Sequence, residues 1–308
     1  MVMKYITTNQ VSKKWNISDR RVRVFCNEGR IEGAIKTGRN WSIPETAVRP
    51  IDNRISYRKT YMGIPEELSE IDSLKQSIDK HRPFSARISK MLQDRLVVEW
   101  TYNSNAIEGS TLTLSETKVI LEGITVGGKS VIEHLEAINH REAILFMEEI
   151  VSRQETLNEW NIKQLHSLIL KEIDSDNAGK YRMSNVIISG AGHTPPQYIE
   201  LPDLMQELIS EYNDEWRDLH PVVRAALLHG RFVGIHPFID GNGRTARLLL
   251  NFELISNGFA PVIIQKENRL EYYNALDLAH TKNDYSLFIK LVSDLEVESQ
   301  KLWLSVLE

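Results

Sequence analysis

The 308-residue sequence contains one cysteine, Cys26. A single thiol cannot close an intrachain disulfide, so a disulfide scaffold is excluded and a reducing compartment fits. No apolar run approaches the ~20 residues that a membrane-spanning helix needs. The opening residues, MVMKYITTNQ, lack the apolar core of a secretion signal. These absences lead us to expect a soluble, cytoplasmic chain with no membrane partner. Internal repeats and low-complexity segments are also missing. Net charge is small, −5 from 37 Lys+Arg against 42 Asp+Glu, which excludes a chain that is polycationic along its whole length. The apolar share of 42% and charged share of 26% are those of an ordinary globular protein, long enough for one large domain and a small one.

The small net charge hides an asymmetry. Residues 1–50 carry ten Lys/Arg and four Asp/Glu, so this stretch is near +6 and the remainder near −11. A basic module joined to an acidic body is the expected organisation. Within the basic module, Val11 and Trp15 share one helix face after Thr7 or Thr8 as cap, and Val22, Phe25 and Cys26 share a second, capped by Ser18 and ended by Gly29. The following IEGAIKTGRNWSIP reads as a hairpin around Thr37-Gly38, with Pro44 opening a last short helix. The arrangement resembles the winged helix-turn-helix domains of MerR-like and excisionase-like DNA-binding proteins. That resemblance implies a second helix that presents Arg20, Arg21 and Arg23 to a major groove, with Arg39 in the wing and the wing on the backbone. A basic helix-turn-helix used only to dock a protein is the other reading.

Residues 51–64 have no clear period and are expected to be a linker; 65–308 form the body. From Pro83 onward the 3.6-residue apolar period makes nearly everything helical. The exception is YRMSNVIISGAGHTPPQYIE, where Val186, Ile187 and Ile188 precede a Gly/Pro turn; this predicts a β-hairpin at about 183–200. The expected fold class is mainly α, with one hairpin and the small N-terminal domain.

The chemistry concentrates in GIHPFIDGNGRTAR. Gly241-Asn242-Gly243 permit a tight turn and a close approach of ligand to backbone. A helix begins there, so its unpaired N–H groups and positive dipole end suit an anion, most naturally a phosphate chain. Arg244 and Arg247, at i and i+3, lie on one face of that helix and repel unless an anion or acid lies between them. Asp240 would oppose a phosphate unless Mg²⁺ stood between them, the usual one-carboxylate way of holding that ion. His236 can supply a general base near neutral pH. Each element alone has an ordinary structural explanation; together they suit one phosphate-binding geometry.

The stretch HPFIDGNGRTAR resembles the signature of the Fic family, His-Pro-Phe-x-Asp/Glu-Gly-Asn-Gly-Arg-x-x-Arg, at every specified position. The segments EGITVGGKSVIEHLEAINHREAI and GKYRMSNVIISGAGHTPP are similar to the family's scaffold and flap. The resemblance implies a helical fold with a hairpin flap and transfer of AMP from ATP to a Ser, Thr or Tyr hydroxyl of a protein, the chain itself included. It implies His236 as base, Asp240 as the Mg²⁺ ligand, and Gly241, Asn242 and Gly243 as the anion hole. Arg244 and Arg247 would hold the β- and γ-phosphate regions, with Asn251 bracing the same pocket. EYYNALDLAH resembles the adenine-binding segment, which puts Tyr272 and Tyr273 at the base; His280 stands where asparagine is common. Val186, Ile187, Ile188, Ser189, Gly190 and Thr194 would line the strand that pairs with the target, unless the hairpin only covers the core.

Upstream, TYNSNAIEG places Ser104 and Glu108 at i and i+4 near a helix end, at about 100–109. Read alone, this is capping chemistry and a surface acid. It is similar to the family's inhibitory motif, Ser/Thr-x-x-x-Glu-Gly/Asn. That similarity implies a pair between Glu108 and Arg247, braced by Ser104, that misplaces ATP. Some members use the same glutamate to remove AMP, and dimers, frequent in the family, could gate it. A DNA-binding regulator that only senses ATP is the competing reading; the intact His236 argues against it, since sensing needs no base.

Overall fold

The computed structural model describes residues 4–50, except 16, 18, 28 and 39, and residues 65–308; for Arg20 and residues 65–67 it gives backbone alone. The expected linker at 51–64, the cap Ser18, Arg39 and the side chain of Arg20 therefore lie outside the described residues. The chain divides into two compact units, Met1–Gly63 and Ile64–Glu308.

In the first unit, β1 (Tyr5–Thr7) leads into α1 (Thr8–Trp15), α2 (Asp19–Asn27), β2 (Ile35–Thr37) and β3 (Asn40–Pro44). The sheet order is β1-β3-β2, antiparallel throughout, with Ile6 opposite Ile43 and Lys36 opposite Trp41. Its small core is Val11, Trp15, Val22, Phe25, Cys26, Ile31 and Ile43. Burial pushes the Cys26 thiol up to about 11, which leaves it unreactive. Pro44 does not open a helix: it closes β3 opposite Tyr5, and the chain turns at 45–46. Strand β1, too short for a visible period, is what holds it there.

The second unit is helical: α3 (Pro65–Asp79), α4 (Ala86–Ile107), α5 (Leu114–Leu121), α6 (Val131–Ser152), α7 (Glu159–Ile169), α8 (Leu201–Ser210), α9 (Pro221–Ile235), α10 (Asn242–Ser256), α11 (Arg269–Lys282) and α12 (Ser286–Leu307). Local chemistry sets their starts. Ser85 caps α4, and reciprocal capping boxes open α5 at Thr113/Glu116 and α6 at Ser130/Glu133. Helices α9 and α10 are buried along most of their length, and α10 packs on α9, α6, α7 and α4. The helix that bears both motif arginines thus runs through the middle of the unit. Among the described residues no helix is long and apolar enough to cross a membrane.

The expected β-hairpin is not formed: residues 183–197 contain no strand, and Tyr198–Glu200 is one 3₁₀ turn. Pro195 and Pro196 bring no N–H to the returning arm, so a ladder there would lack two consecutive donors. The arms are joined instead through side chains, with the Tyr198 N–H donating to Asn185 Oδ1 at 3.0 Å.

Candidate active site

Helix α9 ends at His236, whose backbone is left-handed, φ 50°, ψ 59°. A non-glycine residue there is held by its surroundings. Its N–H donates to Phe232 O at 3.0 Å, and Arg182 Nε donates to its carbonyl at 2.9 Å. Burial, and then the nearby Arg182 cation, pull the His236 imidazole down to about 4, against the raising pull of Glu108 and Asp240. The ring is therefore neutral at pH 7 and able to accept a proton.

The next residues are pinned from below. Phe238 is fully buried and stacks on the His166 ring at 3.6 Å with 4° between planes. The Asn242 side chain brackets it, accepting from Phe238 N at 3.0 Å and donating to Phe238 O at 2.9 Å. The Gly179 N–H faces His166 Nδ1 at 2.9 Å, so the ring carries its proton on Nε2 and donates it to Asp240 O, also at 2.9 Å. Burial holds this ring neutral as well, at about 4. Gly241 takes φ 74°, and a Cβ on it would meet the His166 ring at 3.2 Å. Here glycine is required both by conformation and by space.

Helix α10 starts without a side-chain cap. Its leading N–H groups are therefore left for a ligand or water. Arg244, 2% exposed, donates to Glu136 Oε1 at 2.9 Å and to Asp240 Oδ2 at 3.1 Å. Arg247, also buried, donates through Nε to Ser104 Oγ at 2.9 Å and through Nη2 to Ser104 O at 2.8 Å and Glu108 Oε1 at 2.7 Å. The Glu108 carboxylate lies over the start of α10: a Cβ on Gly243 would stand 2.2 Å from Oε1. A carboxylate therefore sits where the helix start favours an anion. The two arginines do not share one counter-ion: Arg244 has Glu136 and Asp240, and Arg247 has Glu108.

Asp240 is the one motif carboxylate at the surface, with 65% of its side chain exposed. Among the described residues no group of three or more potential metal ligands converges. A single exposed carboxylate fits Mg²⁺, which takes its other ligands from phosphate and water.

Asn251, Tyr272 and His280 have partners inside the fold. Asn251 is buried and spends its whole amide on Val262, donating to its O and accepting from its N, each at 2.8 Å. It fixes the chain beside α10. Tyr272 is likewise in the core, its hydroxyl bonded to His229 Nε2 at 3.0 Å and interacting with the Arg247 guanidinium, so it lies against a motif arginine while Tyr273 is the more exposed of the pair. His280 bonds Gly230 O at 2.8 Å and meets the His193 ring at 4.9 Å. Along the flap, Ile187 is 88% exposed, Ser189, Gly190 and Thr194 are exposed, and Val186 and Ile188 are half-buried. In the first unit, Arg23 pairs with Asp19 at 2.7 Å, and Arg21 lies over the Phe25 ring at 4.4 Å.

His166, Arg182 and Glu136 escaped the sequence reading. His166 sits in the apolar stripe of NIKQLHSLILKEI, and the spacing there carries no sign of a role. Arg182 and Glu136 belong to segments that resemble the family's flap and scaffold, but nothing local singles them out.

A left-handed histidine, an uncapped helix start and two buried arginines define a helical domain arranged around an anion-receiving helix N-terminus. The chain is similar in sequence and fold to known proteins. A family model described as Fic/DOC family matches residues 156–254. The chain is 39% identical over 205 residues to the protein adenylyltransferase Fic of Drosophila willistoni, across 66% of this chain and 41% of that protein. To the protein of the same name from Nematostella vectensis it is 36% identical over 259 residues, 79% of this chain and 58% of the other. The structure of a Fic domain containing signaling protein from Bacteroides thetaiotaomicron aligns with TM-score 0.71 and 32% identity, over 77% of this chain and 97% of that one. Fic-1 from C. elegans aligns with TM-score 0.70 and 29% identity, over 82% and 76%. The chain belongs to the Fic/DOC family. It spans less than two thirds of the length of the curated relatives named here.

Proposed function

We propose that the protein transfers AMP from ATP to a hydroxyl of a protein, itself included, and that Glu108 restrains the reaction. The observation that carries the first part is the neutral imidazole of His236, set shortly before an uncapped helix start flanked by two buried arginines. His236 takes the proton of the target hydroxyl. The oxygen then bonds to the α-phosphorus, the bond to the β-phosphate oxygen breaks, and pyrophosphate leaves. The N–H groups at the start of α10 stabilise the charge that grows on the phosphoryl oxygens. Asp240 would hold Mg²⁺, which when bound neutralises charge on the α- and β-phosphates.

The restraint rests on the pair between Glu108 and Arg247 at 2.7 Å and on the carboxylate above Gly243. An anion already occupies the place a phosphate needs, and a misplacement of ~1 Å can cost about 100-fold in rate. Glu108→Gly is therefore expected to raise AMP incorporation on the order of 100-fold. Mass spectrometry of that variant after incubation with Mg-ATP should find a covalent AMP adduct. Separately labelled ATP discriminates the alternatives: α label on protein supports AMP transfer, γ label supports phosphoryl transfer, and neither supports a sensor. Unchanged α labelling in Glu108→Gly would sink the restraint.

We further propose that the N-terminal unit is a winged helix-turn-helix that binds DNA. Its charge near +6 and the succession of α1, α2 and an antiparallel strand pair support this reading. Binding that weakens linearly in log–log form as salt rises is the expected behaviour; absence of binding at low salt would exclude it.

A further inference from the structure

We propose that Arg182 is a positioning residue of the transfer reaction: its guanidinium ties both arms of the flap to the carbonyl of His236, so that flap and base keep one fixed arrangement. This rests on the AMP-transfer reading above. Arg182 is 2% exposed and has no carboxylate partner among the described residues. Its charge is met by carbonyls alone: Nε donates to His236 O at 2.9 Å, Nη1 to Ser184 O at 2.8 Å and Nη2 to Pro196 O at 2.6 Å. Ser184 lies on the outgoing arm of the flap and Pro196 on the returning arm. The Arg182 N–H adds a fourth bond, to Pro237 O at 3.0 Å. The residue therefore joins every backbone that meets at the base of the flap.

Two features make this more than packing. His236 is left-handed, a conformation that persists only where the surroundings enforce it. Arg182 bonds directly to its carbonyl. The flap is also tied at its far side, where the Gly192 N–H donates to Asp277 Oδ1 at 2.7 Å and His193 Nε2 meets Gly234 O at 2.8 Å. Between these two fastenings the segment is mostly exposed. A flap fastened at both ends to helices around His236 can present a target hydroxyl at a set distance from the base. A planar five-donor fork suits this task; an ammonium cannot reproduce three diverging bonds.

The charge has a second effect. The groups that face His236 are Arg182 from the flap, Glu108 from the end of α4 and Asp240 from the motif loop. Arg182 is the cation that works with burial to keep the ring deprotonated; the two acids work against it. A variant that removes the charge should move the histidine's titration, which a purely structural residue would not do.

The test uses the full chain with labelled histidine, the His236 signal being assigned by its loss in His236→Ala. In the parent protein, where burial and Arg182 pull it down to about 4, His236 is expected to titrate well below the ordinary imidazole range. In Arg182→Met it is expected to rise toward the ordinary ~6.5. In Arg182→Lys it is expected to stay low. In a Glu108→Gly background both variants should lose kcat on the order of 100-fold, with little change in KM for ATP. The proposal is overturned by parent-like titration in Arg182→Met, or by parent-like kcat in Arg182→Lys. If Arg182→Met does not fold, the lysine variant decides: reduced kcat with a parent-like melting temperature supports the proposal. Loss of fold in the lysine variant overturns it, because Arg182 would then serve stability. Should Glu108→Gly show no transfer at all, the transfer reading fails while the titration still reports on Arg182.

Discussion

The motif loop at 236–243 and the flap at 183–197 are both punctuated by glycine and proline, and the fold treats them in opposite ways. In the loop, the Phe238 backbone is bracketed by Asn242, the Asp240 carbonyl is held by His166, and Phe238 is locked under an imidazole. In the flap, Met183 is 82% exposed, no strand is formed, and the fastenings lie at the ends. The difference teaches where this chain needs a preset geometry. On the function proposed above, a phosphate would be received by donors already in place, because reorganising them during reaction would cost rate. On the same proposal, a protein target would bring its own backbone donors and acceptors, which suits a flap that forms no strand of its own.

Each side of the comparison can be broken. The largest effect is expected at His236. His236→Ala in the Glu108→Gly background should lower AMP incorporation by at least ~100-fold, the lower bound for a positioned general base, while ATP binding by calorimetry persists. Retained incorporation would remove His236 from the chemistry. Next comes Asn242→Ala, which leaves the buried N–H and C=O of Phe238 without partners. Leaving a buried polar group unpaired costs about 1–3 kcal/mol, so denaturant unfolding should show a loss of that size or more. A loss under ~0.5 kcal/mol would mean that the loop is not preset as argued. The same variant should lose kcat, since the start of α10 moves with the loop.

Much of this site was legible because the motif packs its chemistry into consecutive residues. His236, Asp240 and the two arginines fall within one turn-and-helix unit, and helix geometry puts Arg244 and Arg247 on one side. Glu108 was legible by its spacing from Ser104 and Gly109, but its partner lies 139 residues away, a distance only the resemblance could span. Spacing does not reveal partners that distant segments supply. Asn251 sits one turn beyond Arg247 and its amide bonds Val262, while the Tyr272 hydroxyl meets both His229 and Arg247. Arg182 and His166 act through carbonyls and a ring contributed by distant segments, which no local pattern encodes. The hairpin failed for a reason present in the sequence: Pro195 and Pro196 stand where ladder donors would be needed. Helix α3 lies at the edge of a segment without a clear period, and its side was read as body without being read as helix.

The smallest effect tests the open side of the comparison. Ile187 is 88% exposed and lies between the flap's two fastenings. Truncating an exposed side chain that packs on nothing leaves stability within about ±0.5 kcal/mol. Ile187→Ser should therefore unfold at the same denaturant midpoint as the parent and bind ATP unchanged. If the flap meets the target, transfer to a protein substrate should fall through a higher KM for that substrate, with kcat for ATP turnover preserved. A destabilisation above ~1 kcal/mol would instead mean that Ile187 covers the core, and the flap would then belong with the preset loop rather than opposite to it.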